Sequence, residues 1–185
     1  RHQFSFRHFV GPTDQTYRIQ QGTQVMHKLN LENFSVTYQV TPRFSLTADI
    51  PLMSASRHTH NSAITYTSSG IGDTSVMVQG WLWNPKENTR GNIQFGLGIL
   101  FPTGKDNVSN NVSSVPGGTP TNTIVDYSIQ PGQGGWGLPM QWVAFKNVYG
   151  SQVYFNGSYT AMFSDINSVL RTNGKPTVTL TQYNA

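Results

Sequence analysis

The chain has 185 residues, enough for one domain (1–185) with a sizeable core. It has no cysteine, which excludes a disulfide scaffold and any thiolate metal site, and only 11% of it is Asp, Glu, Lys or Arg, against roughly 25% in ordinary soluble domains. The formal charge of +4 comes without a dense Lys/Arg run laced with aromatics, so nucleic acid is not an expected partner.

Strand signals succeed one another along the chain. The first covers about 2–10, "HQFSFRHFV". The second covers about 28–40. In it Leu29 and Leu31 share one phase while Phe34, Val36, Tyr38 and Val40 take the other, and the slip near Glu32-Asn33 predicts a bulge. The third, 43–52, sets Phe44, Leu46, Ala48, Ile50 and Leu52 opposite Ser45, Thr47 and Asp49. The fourth covers about 71–84. The fifth, 92–102, alternates Ile93, Phe95, Leu97, Ile99 and Phe101 with mostly small or polar residues. The sixth and seventh cover about 136–147 and 151–163, and a weaker eighth covers 176–183. No amphipathic helix is expected.

The stretch "GNIQFGLGILFPTGKD" (91–106), which holds the fifth strand and its exit, imitates a phosphate-binding loop. The spacing excludes one: five residues separate Gly98 from Gly104 where four are required, and Asp106 stands where a magnesium-holding Ser or Thr is needed.

Connections alternate in length. Thr41-Pro42, "NPKENTRG" and "VYGS" are short, while 11–27, 53–70, 103–135 and 164–175 are long. In an up-and-down antiparallel sheet this puts every short turn at one end and every long loop at the other, as in transmembrane barrels. Strands of about ten residues suit a tilted membrane crossing. No apolar run approaches the ~20 residues of a membrane helix, and no signal-peptide pattern opens the chain; neither observation excludes a strand-built membrane protein. Trp81, Trp83, Trp136, Tyr149 and Tyr154 are expected at the two membrane interfaces. The expected fold is all-β, an up-and-down antiparallel transmembrane β-barrel with about eight strands in this chain.

Five stretches resemble a known family in their order: "SFRHFVG" (5–11), "VTYQVTPRFSLTADIPL" (36–52), "GIGDTSV" (70–76), "RGNIQFGLGILFPTGKD" (90–106) and "DYSIQPGQGGWG" (126–137). Together they resemble bacterial outer-membrane β-barrel transporters of the phenol-degradation, MetA-pathway type. The resemblance implies a barrel of about a dozen strands in the outer membrane of a Gram-negative cell. It also implies passage of small molecules, hydrophobic or aromatic ones among them. The chain opens at Arg1 inside strand-like text and stops at "TQYNA" without a terminal aromatic. Against the family this leads to the expectation of a part of a larger barrel. The alternative is a small closed eight-stranded barrel using 176–183, whose interior side chains would fill.

The functional surface expected is the inside of the barrel. Its lining comprises Gln3, Ser5 and Arg7; Ser35, Thr37 and Gln39; Ser45, Thr47 and Asp49; Gln94, Gly96 and Gly98; and Asn156, Ser158 and Thr160. Arg7 and Asp49 are the charges among them. They are either the groups that set selectivity or a salt bridge bracing the wall. The partners expected are outer-membrane lipid and a small-molecule solute; an oligomer is left open. No cofactor motif is present. Arg57-His58-Thr59-His60 offers two histidines but no third metal ligand, and reads as a solvated loop. Gly70 to Asp73 reads as a turn. Asp73 with Asp106, Asn107 and Asn110 is a weaker calcium candidate. "PGQGGWG" (131–137) reads as an ordered, tight approach to the wall rather than a linker. Without a Gly-x-Ser-x-Gly elbow, no enzyme is expected. Two alternatives to a channel remain: a structural or adaptor subunit of a larger assembly, and a soluble ligand-binding barrel with the opposite polarity of faces.

Overall fold

The computed structural model describes residues 2–4, 9–10, 13–22, 24–60, 62, 64–113, 117–163 and 182–184. In chain order its elements are β1 (His2–Phe4), β2 (Phe9–Val10), β3 (Thr13–Asp14), α1 (Gln15–Gln20), β4 (Val25–Gln39), β5 (Phe44–Thr59), β6 (Thr65–Ile71), β7 (Thr74–Trp81), β8 (Gly91–Phe101), β9 (Ser109–Val112), β10 (Thr121–Ile124), a 3-10 turn (Tyr127–Ile129), β11 (Gly137–Val148), β12 (Ser151–Met162) and β13 (Gln182–Asn184). The main sheet is antiparallel, ordered β1-β4-β5-β7-β8-β11-β12-β13 with β6 also on β5, and it curls into a half-barrel. The fold is all-β; one six-residue helix, α1, stands in a connection where no helix was expected.

The short turns gather at one end. Residues 40–43 join β4 to β5, and 82–90 join β7 to β8. Tyr149 (φ 47°) and Gly150 (φ 80°) join β11 to β12. Two successive positive φ values are what a two-residue type I′ hairpin requires, and Gly150 accepts that conformation without a Cβ penalty.

At the other end the strands run further than the periodicity suggests. β5 continues to Thr59 and β6 returns beside it, from Leu52↔Ile71 to His58↔Thr65, so most of the long loop expected at 53–70 is a hairpin. Arg57 and His58 therefore belong to a strand. The expected bulge at Glu32-Asn33 is absent: β4 and β5 stay in one register from Val25↔Thr59 to Gln39↔Ser45. A bulge occurs instead between β6 and β7. Leu52 faces Ile71 while Asp49 faces Ser75, so three steps on β5 match four across it. The extra residue falls at Gly72-Asp73.

The two faces of this sheet differ sharply. Phe34, Val36 and Tyr38 pair with Ile50, Ala48 and Leu46; Leu46 and Ala48 pair with Val78 and Val76; these pair with Leu97 and Ile99. Phe95 then pairs with Trp142 and Ala144 with Phe155. This apolar band lies on the outer face, with Val36 72%, Tyr38 69% and Phe95 60% exposed. On the concave face of the same strands, Ser45 is 6% and Thr47 7% exposed.

The apparent phase slip at Glu32-Asn33 is an inversion of polarity along a straight strand. Toward the turn end, β4 carries Phe34, Val36 and Tyr38 outward; toward the loop end, Lys28, Asn30 and Glu32 hold those outward positions. Inward, Leu29 packs with Met53 and Tyr66 around buried Ala55. Alternation with period two keeps each parity on one face, so only the composition changes.

Candidate functional site

The concave face carries a row of neutral polar groups across neighbouring strands. Gln39, Ser45, Gln79, Gly96, Gln141 and Ser158 are successive register partners on β4, β5, β7, β8, β11 and β12. The Ser45 hydroxyl reaches Gln79 Oε1 at 3.5 Å, and Gln79 Nε2 donates to Gln141 Oε1 at 3.3 Å. The next row pairs Thr37 and Thr47 through their hydroxyls at 3.0 Å. Asp49 is held by Asn33 Nδ2 at 3.1 Å and by the Ser35 hydroxyl.

The expected lining residues on β4, β5, β8 and β12 therefore share one face: Ser35, Thr37, Gln39, Ser45, Thr47, Asp49, Gln94, Gly96, Gly98, Asn156, Ser158 and Thr160. Ser5, Arg7 and the side chain of Gln3 lie outside the described residues, as does most of 176–183. Sequence reasoning missed Gln79 and Gln141, although both sit in phase with Met77 and Val143 in readable strands. Trp81, expected at an interface, is in phase with the concave face and meets Phe145 edge-on, with ring centroids 6.0 Å apart. Tyr154 shares that phase, opposite Phe145. Trp83, Trp136 and Tyr149 are exposed near strand ends.

Gly96 and Gly98 make room for protein. A Cβ on Gly96 would stand 2.6 Å from Met77 Sδ and 3.2 Å from Gln79 Cγ. One on Gly98 would meet the Val76 carbonyl and stand 2.9 Å from Met77 Cα.

At the long-loop end, three glycine-containing stretches converge. Asp73, at the β6–β7 bulge, accepts the Gly104 N–H on Oδ1 at 3.0 Å and the Gln133 N–H on Oδ2 at 2.8 Å. The Gly132 N–H donates to the Lys105 carbonyl at 2.9 Å, and Gly104 and Gly132 touch without room for a Cβ on either. The Thr103 hydroxyl bonds the Gly72 carbonyl at 2.9 Å, and Phe101 packs on Trp136 at 5.2 Å. Burial pushes the Asp73 carboxyl above its ordinary range; the two backbone N–H groups pull it partly back, and the Asp106 charge adds to the rise. Burial and the Asp73 charge likewise raise Tyr127. The expected ordering of 131–137 holds, but Asp73 is a backbone acceptor, and Asn110 pairs elsewhere. Among the described residues no group of three or more His, Asp or Glu converges as a metal site.

Between these roots the chain turns inward. Val125 and Ile129 are 0% and 1% exposed, packed on Ala55 of β5 with Leu29, Met53, Tyr66 and Val108 around them. The Ser68 hydroxyl donates to the Ile129 carbonyl. Arg57 Nη2 lies 3.7 Å from Asp126 Oδ2. Burial alone would raise Asp126. The hydroxyl and N–H of Ser128, with the Arg57 and His27 charges, more than offset it, and the carboxyl sits below its ordinary range.

Three carboxamides, two at this end and one at the β7–β8 turn, act as pieces of strand, each giving a donor and an acceptor to one residue's backbone. Gln130 bonds the N–H and C=O of Val108 at 3.0 and 3.1 Å. Asn110 does so with Thr67 at 2.8 and 3.0 Å, and Asn92 with Trp83 at 3.2 and 2.9 Å. Asn92 and Gln130 are buried, and these pairs answer polar needs that charge does not meet in this chain.

No family model matches this chain, and no curated protein matches it.

Proposed function

We propose that this chain is wall of a β-barrel in a bacterial outer membrane, and that its concave polar face lines a path for small molecules. The observation that carries this reading is the polarity of the two faces and its inversion at Glu32-Asn33. An apolar outer band beside a polar, less exposed inner face suits lipid outside and water inside. A soluble ligand-binding barrel needs the opposite arrangement.

The size of the band agrees. From Phe44 to Leu52 the outward residues of β5 are apolar. Eight steps of about 3.3 Å, tilted by about 40°, give a band about 20 Å tall, close to the ~25 Å of outer-membrane barrels. Above it the outward face turns polar, as at a membrane surface. Lipid also demands that strand edges be paired. Among the described residues β1 covers only Asn30–Glu32 of β4, and β13 only Ser158–Thr160 of β12. Closure therefore calls for further strands beside the band, which fits the dozen-strand barrel that the motifs resemble.

The test is solute flux. Protein folded into liposomes of outer-membrane lipid is expected to pass small uncharged solutes in a swelling assay. Well-folded, inserted protein that passes none would overturn the channel and favour a structural barrel subunit.

A further inference from the structure

We infer that the Val125–Gln130 turn is a plug over the loop end of the path, and that Asp73 is the clamp that keeps it there. This rests on the channel reading and adds its regulation.

The plug is marked by where the burial lies. The band of the wall turns most of its large apolar side chains outward, yet Val125 and Ile129 are among the most deeply buried side chains described, and both belong to a connection. Connections normally run over the surface. This one lays an apolar pair on Ala55, whose phase on β5 is that of Ser45 and Thr47, so it covers the same face as the polar rows. The Ser68 hydroxyl and the Arg57–Asp126 pair tie it to the wall, and Gln130 braces it against Val108 of the same connection.

The clamp is marked by two donors on one carboxylate. Gly104 leaves the wall after β8, and Gln133 returns to it before β11. Both roots give an N–H to Asp73, each to a different oxygen. The contact of Gly104 with Gly132 closes the neck. Asp73 sits at the bulge, where the extra residue turns it out of the ladder toward that neck. The plug itself is held by side chains: the Arg57–Asp126 contact is long at 3.7 Å, and Arg57 Nε is buried without a partner. These are ties that can be exchanged without unfolding a strand.

The chain has no cysteine, so an introduced pair is unambiguous. Ala55→Cys with Ile129→Cys, bridged by oxidation in single-channel recordings, is expected to conduct at least twofold less than the same protein after reduction. Asp73→Asn keeps an acceptor for Gly104 but turns an N–H donor toward Gln133, and is expected to raise conductance. Ile129→Ala should do the same with the clamp intact. Equal conductance in the bridged and reduced states would overturn the plug. Failure of the pair to bridge would overturn its placement. Wild-type conductance from Asp73→Asn, with the Gln133 amide still protected from exchange, would overturn the clamp. No conductance from any folded form would instead overturn the channel reading, and the plug's role with it.

Discussion

Gln79 and Gln141 stand on strands that do not touch, yet the amide of one donates to the other at 3.3 Å. The strand between them is β8, and the residue in the row there is Gly96. A glycine lets two long neutral side chains meet over it, and a crosswise hydrogen-bonded row forms without charge.

The two glycines of β8 should therefore respond differently to alanine. Gly96→Ala brings its Cβ against the flexible end of Met77, which can turn away. It is expected to cost less than about 1 kcal/mol. Gly98→Ala meets backbone of β7 and forces the strands apart. It is expected to cost about 1–3 kcal/mol. Urea unfolding in lipid or detergent should rank Gly98→Ala below Gly96→Ala.

Ile129→Ala removes deeply buried atoms of the inward turn, where Ile129 is 1% exposed. Truncations of this kind cost about 2–5 kcal/mol when the site cannot collapse. Here the loss should be local, because Ile129 packs on the face of the wall, in the cluster around Ala55, and not between strands of the sheet. Amide exchange is expected to speed up over 125–130 and stay slow in β11 and β12. Uniform loss of protection would show that the turn and wall unfold together.

The wall strands were legible where one face stays apolar along their length. β8, β11 and β12 lie within a residue of the expected bounds for that reason. The upper half of β5 and all of β6 were missed, because "SASRHT" and "TYTSSG" put hydroxyls on both faces above the band and lose the alternation. The inversion at Glu32-Asn33 imitated a bulge for the same reason. The polar rows could be read from period two. The Asp73 neck could not: its partners are 31 and 60 residues away and are backbone N–H groups, which any residue type supplies. The sequence did mark the place indirectly, since three of the motifs that carry the family resemblance meet there.

Asp126 and Asp73 should titrate in opposite senses. Burial would raise Asp126, but the Ser128 hydroxyl and N–H and the Arg57 and His27 charges bring it below the ordinary range. A depressed carboxyl stabilises fully above its unfolded value, and that contribution is lost as pH falls through the folded one. The stability gap between wild type and Asp126→Asn should thus be open at neutral pH and close in acid. Asp73 is raised, chiefly by burial. Its protonated form is favoured by folding, so its contribution is full below the ordinary Asp value and lost as pH rises through the folded one. Carboxyl NMR titration should find Asp73 above and Asp126 below free aspartate. The reverse order would contradict the burial and bonding described for both.

The outer band provides the test that separates lipid from water. Val36 is 72% exposed on the outer face, and its neighbour Thr37 points to the concave face and bonds Thr47. In water, arginine at an exposed strand position is nearly neutral, whereas against hydrocarbon near the bilayer midplane it costs about 2–4 kcal/mol. Val36→Arg is therefore expected to lower folding yield into liposomes markedly. Thr37→Arg should insert normally and shift ion selectivity toward anions, since a charge on the lining acts on the solute. Folding yield, read by protection from added protease, and reversal potential in a salt gradient measure the two effects. If Val36→Arg inserts as well as wild type while Thr37→Arg does not, the lipid and water faces are assigned the wrong way round.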